Sequence, residues 1–393
     1  MKVAIITSGL LPIPATKGGA IETLLDTFLL ENEKKKSINA TIYSINDRKA
    51  KKVVKKNNYK NTRYVFISGI SNFILRVINK VFKMSIPINK YYQKKAIKMV
   101  NKREYDYVVV ENYPELTLQL KKSKVIPYIH SDVFNLNTLN CKDILKNCYK
   151  VITVSDYIKS RVTEIDNEFE NKVTTIYNSI DFLKINKKEY SEYRNSYREK
   201  YGIKKDDFVF AYSGRISQEK GVYELIKAFN KVDIPNKKLV IIGGIWYNSK
   251  KKNSYLESLE KISKDDVIYT GYIEHKNIQK VLCSVDIGVV PSICNEAAGL
   301  SVVEFMNTEN VVVASNMGGI SEYLNKEENY LVEYNENNDK FVNNLALAME
   351  NSYRDRENMA EKQKNNYEFS KKFTPEENYR KIIECLESSD EKI

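Results

Sequence analysis

"SVDIGVVPSICNEAAGLSVVE", residues 284–304, is the stretch on which the reading of this chain turns. Its first nine residues, Ser284 to Ser292, form a short apolar run, the pattern of a strand buried on both faces. "EAAGLSVVE" follows, with a small glycine-containing turn and then the start of a second apolar run. Glu296 therefore stands at the C-terminal mouth of a strand, and Glu304 lies about two helical turns further on. Two carboxylates so placed can hold two hydroxyl-rich parts of one ligand. "VVVAS" (Val311–Ser315) reads as the next strand, so strand, helix and strand alternate.

The same alternation extends outward along the whole chain. Upstream in the second half, strands are expected at Phe208–Gly214, Lys238–Gly244 and Val267–Ile273. In the first half they are expected at Lys2–Thr7, Ala40–Ile45, Tyr64–Ser68, Tyr105–Glu111, Lys124–His130 and Lys150–Ser155. Near-continuous apolar strands separated by helical patterns indicate parallel sheets covered on both faces. The fold class is therefore α/β, with two doubly wound, Rossmann-like domains. The expected boundaries are an amino-terminal domain over 1–183, a polar linker with a helical middle over 184–207, a second domain over 208–370 and a terminal helix over 371–393. Ligands of open parallel sheets bind outside the carboxyl ends of the strands, so a cleft between the two domains is the expected site.

Composition narrows the partners. Of the net +12, residues 1–180 carry 31 cations and 16 acids, whereas residues 181–393 carry 32 and 35. Residues 51–100 alone hold 13 cations and no acid, which marks a local basic surface and an anionic partner. A charge confined to one region, with no nucleic-acid motif, speaks against nucleic acid. The five cysteines are odd in number and scattered, with no C-x-x-C spacing, so reduced thiols in a cytosolic protein and no zinc site are expected. No run of 18 apolar residues suits a membrane span. The amino-terminal "MKVAIITSGLLPIP" is too quickly broken for a signal peptide.

Several residues carry candidate chemistry. Gly18 and Gly19 precede a helical pattern beginning near Ala20, and bare amides at a helix start can bind phosphate oxygens. In "GRISQEKG", Gly214 and Arg215 end a strand and Lys220 precedes Gly221, where a helix begins. Two cations and a helix start converging on one point suit a diphosphate. Glu304 suits the vicinal hydroxyls of a ribose, and Glu296 those of a sugar. His130 ends the strand Lys124–His130 and would face the cleft. His275, the only other histidine, reads as a cap or surface residue. Each feature alone has an ordinary structural explanation: a glycine turn, a solvated glutamate at a helix start, a surface cation.

Taken in order, "LPIPATKGGAIETLL", "VVENYPEL", "VITVSDYI", "SGRISQEKG", "IIGGIWY", the Glu296–Glu304 motif and "SNMGGISEYL" resemble the glycosyltransferases of family 4, with the GT-B fold, most closely the spore-coat CotSA-type members. The resemblance covers nearly the full length. It implies that Arg215 and Lys220 hold the donor diphosphate and that Glu304 binds the nucleotide ribose. Glu296 would contact the donor sugar, with the amides of Ala298, Gly299 and Leu300 beside it. Gly19 would meet the diphosphate, His130 would lie near the reacting centre, and the backbone around Tyr272 would receive the base. Ala298 stands where relatives often carry an aromatic, which implies a roomier sugar pocket. Ser321 stands where a proline is usual.

The implied activity is transfer of a sugar from a nucleotide diphosphate-sugar, expected to be UDP-linked, to a glycan or lipid-linked acceptor in cell-surface polysaccharide or glycoconjugate synthesis. Retention of anomeric configuration follows from the resemblance. No D-x-D sequence occurs, so no metal and no cofactor are expected, with cations and helix starts neutralising the leaving group. The segment 70–83, "ISNFILRVINKVFK", has apolar residues at helical spacing among basic ones, which suits a helix lying on an anionic membrane. A cytoplasmic protein, peripheral on the inner membrane face through residues 51–100, is the expectation. A sugar-nucleotide epimerase of the same fold, or a degenerate sugar-binding protein, is the alternative.

Overall fold

The computed structural model of the protein describes residues 1–68, 74, 78, 89–121, 123–244 and 254–388. The amphipathic segment read at 70–83 lies outside the described residues, positions 74 and 78 excepted. The chain forms two units, one of Met1–Ser179 with Pro375–Ile393 and the other of Ile180–Thr374.

In the first unit, seven strands form one sheet: β1 (Lys2–Ile6), β2 (Asn39–Ile45), β3 (Thr62–Ile67), β4 (Tyr107–Glu111), β5 (Lys124–Ile129), β6 (Val151–Thr153) and β7 (Val173–Thr175). Their order is β3-β2-β1-β4-β5-β6-β7, and each neighbouring pair is parallel. Ala4, Ile6, Val108 and Val110 from the central strands share a core with Tyr43 and with Tyr92 and Ala96 of the helix Lys90–Val100. A strand covered on both faces needs apolar residues at successive positions, which is why β1 and β4 read as unbroken runs.

In the second unit, six strands form the other sheet: β8 (Phe208–Ser213), β9 (Lys237–Ile242), β10 (Val267–Gly271), β11 (Ile287–Val290), β12 (Val311–Ser315) and β13 (Tyr330–Val332). The order is β10-β9-β8-β11-β12-β13, again parallel throughout. Both sheets are doubly wound. The order reverses between β1 and β4 in the first and between β8 and β11 in the second, and the carboxyl ends of these strands are where such sheets bind ligands.

The unit boundaries fall at 179/180 and 374/375, where the sequence reading drew them at 183/184 and 370/371. The reason is local bonding. The Ile180 amide donates to the Phe373 carbonyl at 2.9 Å, so both chain crossings are tied together inside the second unit. The polar stretch read as a linker holds the helix Lys187–Lys200, opened by a capping box between Asn186 and Glu189. This helix belongs to the second unit because Arg194 and Arg198 grip Asp286, just before β11, at 2.5 and 2.8 Å. Arg198 also donates to the Ser284 and Asp207 carbonyls, and Asp286 accepts from the Val209 amide.

Helix Pro375–Glu387 packs into the first unit. Its Tyr379 hydroxyl donates to Asn32 Oδ1 at 2.9 Å, and its ring lies 5.2 Å from that of Phe28. Lys150 closes the far end by donating to the Cys385 carbonyl at 2.9 Å.

Candidate functional site

The second unit gathers its candidates around the switch point. β8 ends at Ser213, and the chain runs through Gly214 to Arg215. The Tyr212 hydroxyl donates to the Arg215 carbonyl at 2.5 Å and fixes this turn. Arg215 is half exposed, and its guanidinium lies 2.8 Å from Glu219. Ser217 also donates to Glu219, at 2.7 Å, and that bond, with Arg215 and Lys220 nearby, holds the Glu219 carboxyl below its ordinary range.

Gly221 caps the helix Val222–Lys231 with a left-handed φ of 69°. A Cβ at this position would overlap the Pro291 carbonyl, so only glycine lets the helix start press against the end of β11. That close approach delivers Lys220 to Glu296. The Lys220 Nζ donates to Glu296 Oε1 at 2.5 Å, and Ser292 Oγ donates to the same oxygen at 2.7 Å. The pair is mostly shielded from water, with side-chain exposures of 26% and 18%.

The Glu296 backbone is pinned as well. It forms a parallel bridge with Gly318, and its carbonyl accepts from the Gly319 amide at 2.7 Å. Gly318 has a φ of 59°, and a Cβ there would strike the Glu296 backbone. Ala298 and Gly299 follow, and Gly299 caps the helix Leu300–Asn307 without any side-chain cap. The first amides of a helix have no partner within it, and here Val302 and Val303 turn back to the Gly299 carbonyl.

Glu304 sits in the second turn of that helix, 13% exposed, with His275 Nε2 3.5 Å from its Oε1. His275 stands at a helix start with its side chain 60% exposed, the cap or surface position that the sequence suggested, and it has a charged partner as well. It opens the helix His275–Leu282 and pairs with the candidate ribose carboxylate. The contact with Glu304, reinforced by the charges of Glu304 and Asp181, raises the imidazole above its ordinary pKa against the effect of burial. Twenty-nine positions separate the two residues, and no local pattern signals the pairing. Tyr272 lies directly after β10 and is 36% exposed.

In the first unit, Gly18 and Gly19 have φ of 74° and 103° and lead into the helix Ala20–Lys35. A Cβ on Gly19 would collide with Glu22, an acid the sequence reading passed over. Glu22 is buried, accepts from Ser8 Oγ at 3.1 Å, and is raised chiefly by desolvation, with the Glu111 charge adding. This helix start, where the sequence suggests a phosphate cradle, thus has a protonatable carboxyl in its first turn.

His130 follows β5, and its Nε2 lies 2.7 Å from Glu111 Oε2 at the end of β4, with exposures of 6% and 4%. The His130 amide donates to Asn112 Oδ1 at 3.0 Å, and the Tyr128 ring packs 4.2 Å away. The imidazole is thus oriented by a carboxylate, while its Nδ1 is buried with no partner among the described residues. A cavity of about 30 Å³ adjoins Glu111, Tyr128 and His130 and is otherwise lined by apolar side chains such as Ile21, Leu25 and Ile382, with Asn178 and Asn378. Among the described residues no group of three or more His, Cys, Asp or Glu side chains is placed to hold a metal ion.

The structure joins Lys220 to Glu296, Arg215 to Glu219, Glu304 to His275 and His130 to Glu111. Glu219, His275, Glu111 and Glu22 were not singled out in the sequence as functional. An acid within a strand or a first helical turn is common, and apart from Glu219, whose partner Arg215 is four positions away, their partners lie well separated in the chain.

Residues 194–366 match the model of the family described as Glycosyl transferases group 1. Over 93% of its length the chain is 27% identical to YtcC of Bacillus subtilis (strain 168), covering 86% of that protein. Over 89% it is 24% identical to Spore coat protein SA of the same organism, covering 91%. Anabaena Alr3699/HepE, solved in complex with UDP and glucose, has a TM-score of 0.72 at 17% identity, over 99% of this chain and 100% of that one. The family model thus matches inside the second unit, and along its whole length the chain shares the GT-B fold of the solved glycosyltransferase structures.

Proposed function

We propose that this chain is a retaining, metal-independent glycosyltransferase. It moves a sugar from a nucleotide diphosphate-sugar to a glycan or lipid-linked acceptor in cell-surface polysaccharide or glycoconjugate synthesis. The observation that carries the reading is the meeting of Lys220 and Glu296 across the ends of β8 and β11, beside Arg215 and before the helix that bears Glu304. A cation, a carboxylate and a helix start at a switch point suit a ligand that is anionic at one part and rich in hydroxyls at the others. The UDP and glucose bound by HepE support a UDP-linked donor.

Arg215 and Lys220 take the diphosphate in this reading, Glu304 the ribose and Glu296 the sugar, with the amides of Ala298, Gly299 and Leu300 beside it. Gly18, Gly19, Gly214 and Tyr272 keep their assignment to donor binding. The bond from the anomeric carbon to the diphosphate oxygen breaks. The acceptor oxygen bonds to that carbon on the same face, and its proton passes to the leaving phosphate. Lys220 neutralises the charge that builds on the diphosphate, so no cofactor or metal is invoked. His130, oriented by Glu111, stabilises charge at the reacting centre.

A cytoplasmic, peripheral location is part of the proposal. It rests on the basic residues 51–100 and on the exposed cations of the helix Arg48–Asn57. Anionic vesicles would retain the protein, and salt would release it.

The test is binding and transfer with a panel of UDP-, GDP-, ADP- and TDP-sugars, with and without EDTA. EDTA-resistant binding of one donor, lost in Lys220→Ala, supports the reading. Folded protein that binds none of them overturns it.

A further inference from the structure

Glu304 is mostly buried, at 13% exposed, whereas the His275 imidazole that reaches it is 60% exposed. They come from neighbouring helices, Leu300–Asn307 and His275–Leu282. Among the described residues no other side chain is paired with the Glu304 carboxylate. A glutamate has three rotatable torsions, and binding two hydroxyls of one ribose requires its carboxylate plane to be fixed beforehand. Among the described residues His275 supplies the one ion-pair restraint on it.

We propose that His275 is a positioning residue for the nucleotide: it holds Glu304 through Oε1, leaving Oε2 to accept from the ribose hydroxyls of the donor. The proposal rests on the donor-binding reading above. His275 touches no reacting atom in it and acts through Glu304.

The surroundings of His275 give the restraint a pH dependence. Glu304 faces it from the helix Leu300–Asn307. Asp181 adds a second negative charge, and its carbonyl is held at 3.0 Å by Gln279 of His275's own helix. Glu274 and Lys276, on either side of His275, pair with each other at 2.9 Å and largely cancel. The contact with Glu304 and the two carboxylate charges raise His275 above its ordinary value of 6.5. A raised histidine stabilises its partner fully below the unfolded pKa, and that contribution is lost as pH rises through the folded value. Donor affinity therefore weakens as pH rises through the raised value.

Calorimetric titration with UDP, GDP and ADP, each against its 2′,3′-dideoxy analogue, tests this between pH 6 and 9 in wild type, His275→Ala and His275→Gln. The wild type should prefer the ribo form of whichever nucleotide it binds, by roughly 10-fold or more at pH 6.5. In His275→Ala that preference should fall by about 3–10-fold with the melting temperature retained. His275→Gln keeps an N–H donor but cannot titrate. It should hold most of the preference and lose its pH dependence. A variant disturbed only in folding would weaken ribo and dideoxy forms alike. Wild-type binding with an unchanged ribo preference and pH profile in both variants overturns the assignment of His275 alone. No binding by wild type overturns the donor-binding reading and this assignment with it.

Discussion

The Nζ of Lys220 and Oε1 of Glu296 lie 2.5 Å apart, joined across 76 positions of sequence by the ends of β8 and β11. This pair couples two roles assigned to different parts of one ligand, the diphosphate and the sugar. Altering Glu296 removes the partner of Lys220, whereas altering Lys220 leaves Glu296 with Ser292 alone.

Lys220→Met should therefore abolish more than it destabilises. Removing a cation aimed at developing charge typically costs about 10²–10³ in turnover. The pair is mostly shielded, but Ser292 still donates to the Glu296 carboxylate, which should hold the stability loss to roughly 1–3 kcal/mol. The double variant Lys220→Met, Glu296→Gln should recover stability and not activity. Single-turnover transfer rates and urea unfolding of the three proteins separate these effects.

Glu111→Gln tests the orientation of His130. An amide can meet Nε2 as donor or acceptor, so it no longer fixes one tautomer of the ring. Turnover should fall by roughly 10–100-fold, while His130→Ala should lose about 10²-fold or more. The Michaelis constant for the donor should change less than turnover in both.

Asp26 gives a pH-dependent stability whose sign can be worked out. It lies in the helix Ala20–Lys35, accepts from the Ala15 amide at 2.9 Å, and is pushed up to about 6 by desolvation, from 3.8. A carboxyl raised in the fold stabilises while protonated. The contribution is full below pH 3.8 and disappears as pH rises through about 6. Between pH 4 and 7 the wild type should lose on the order of 1–3 kcal/mol relative to Asp26→Asn. Parallel urea titrations of the two proteins across that range would measure the difference, and curves that stay parallel would remove Asp26 as the cause.

Asp286→Ala should strand two guanidinium groups. Arg198 is nearly buried, and its raised and lowered influences, burial first and Asp286 second, leave it depressed even with the partner present. Breaking one side of a buried ion pair costs about 3–5 kcal/mol. Calorimetric unfolding should show that loss. Replacing Arg194, which is 30% exposed, should cost less.

The architecture was legible because buried parallel strands must be apolar at successive positions, as in "YVVVE" and "VVVAS". β7 and β13 escaped notice because each has three residues and sits at a sheet edge, too short for a pattern to emerge. The helix Lys187–Lys200 read as a polar linker because its attachment runs through guanidinium groups rather than an apolar stripe. Arg215, Lys220, Glu296 and Glu304 stood out by their places at strand ends and helix starts. His275 did not, since its meaning depends on which helix lies beside its own, and helix packing is set by tertiary contacts no short window contains. Glu22 was hidden for a different reason. An acid in a first turn is ordinary, and only the collapse of Gly19 onto it makes it distinctive.

The first unit closes on a helix that follows the entire second unit in the chain. During synthesis the strands of residues 2–175 emerge early, yet Tyr379, which bonds Asn32, appears some two hundred residues later. At about 5–20 residues per second, that is a wait of roughly 10–40 s. Meanwhile the face of Phe28 that Tyr379 will cover stays open to solvent and to chaperones. The part of the molecule that leaves the ribosome first is the last to be completed.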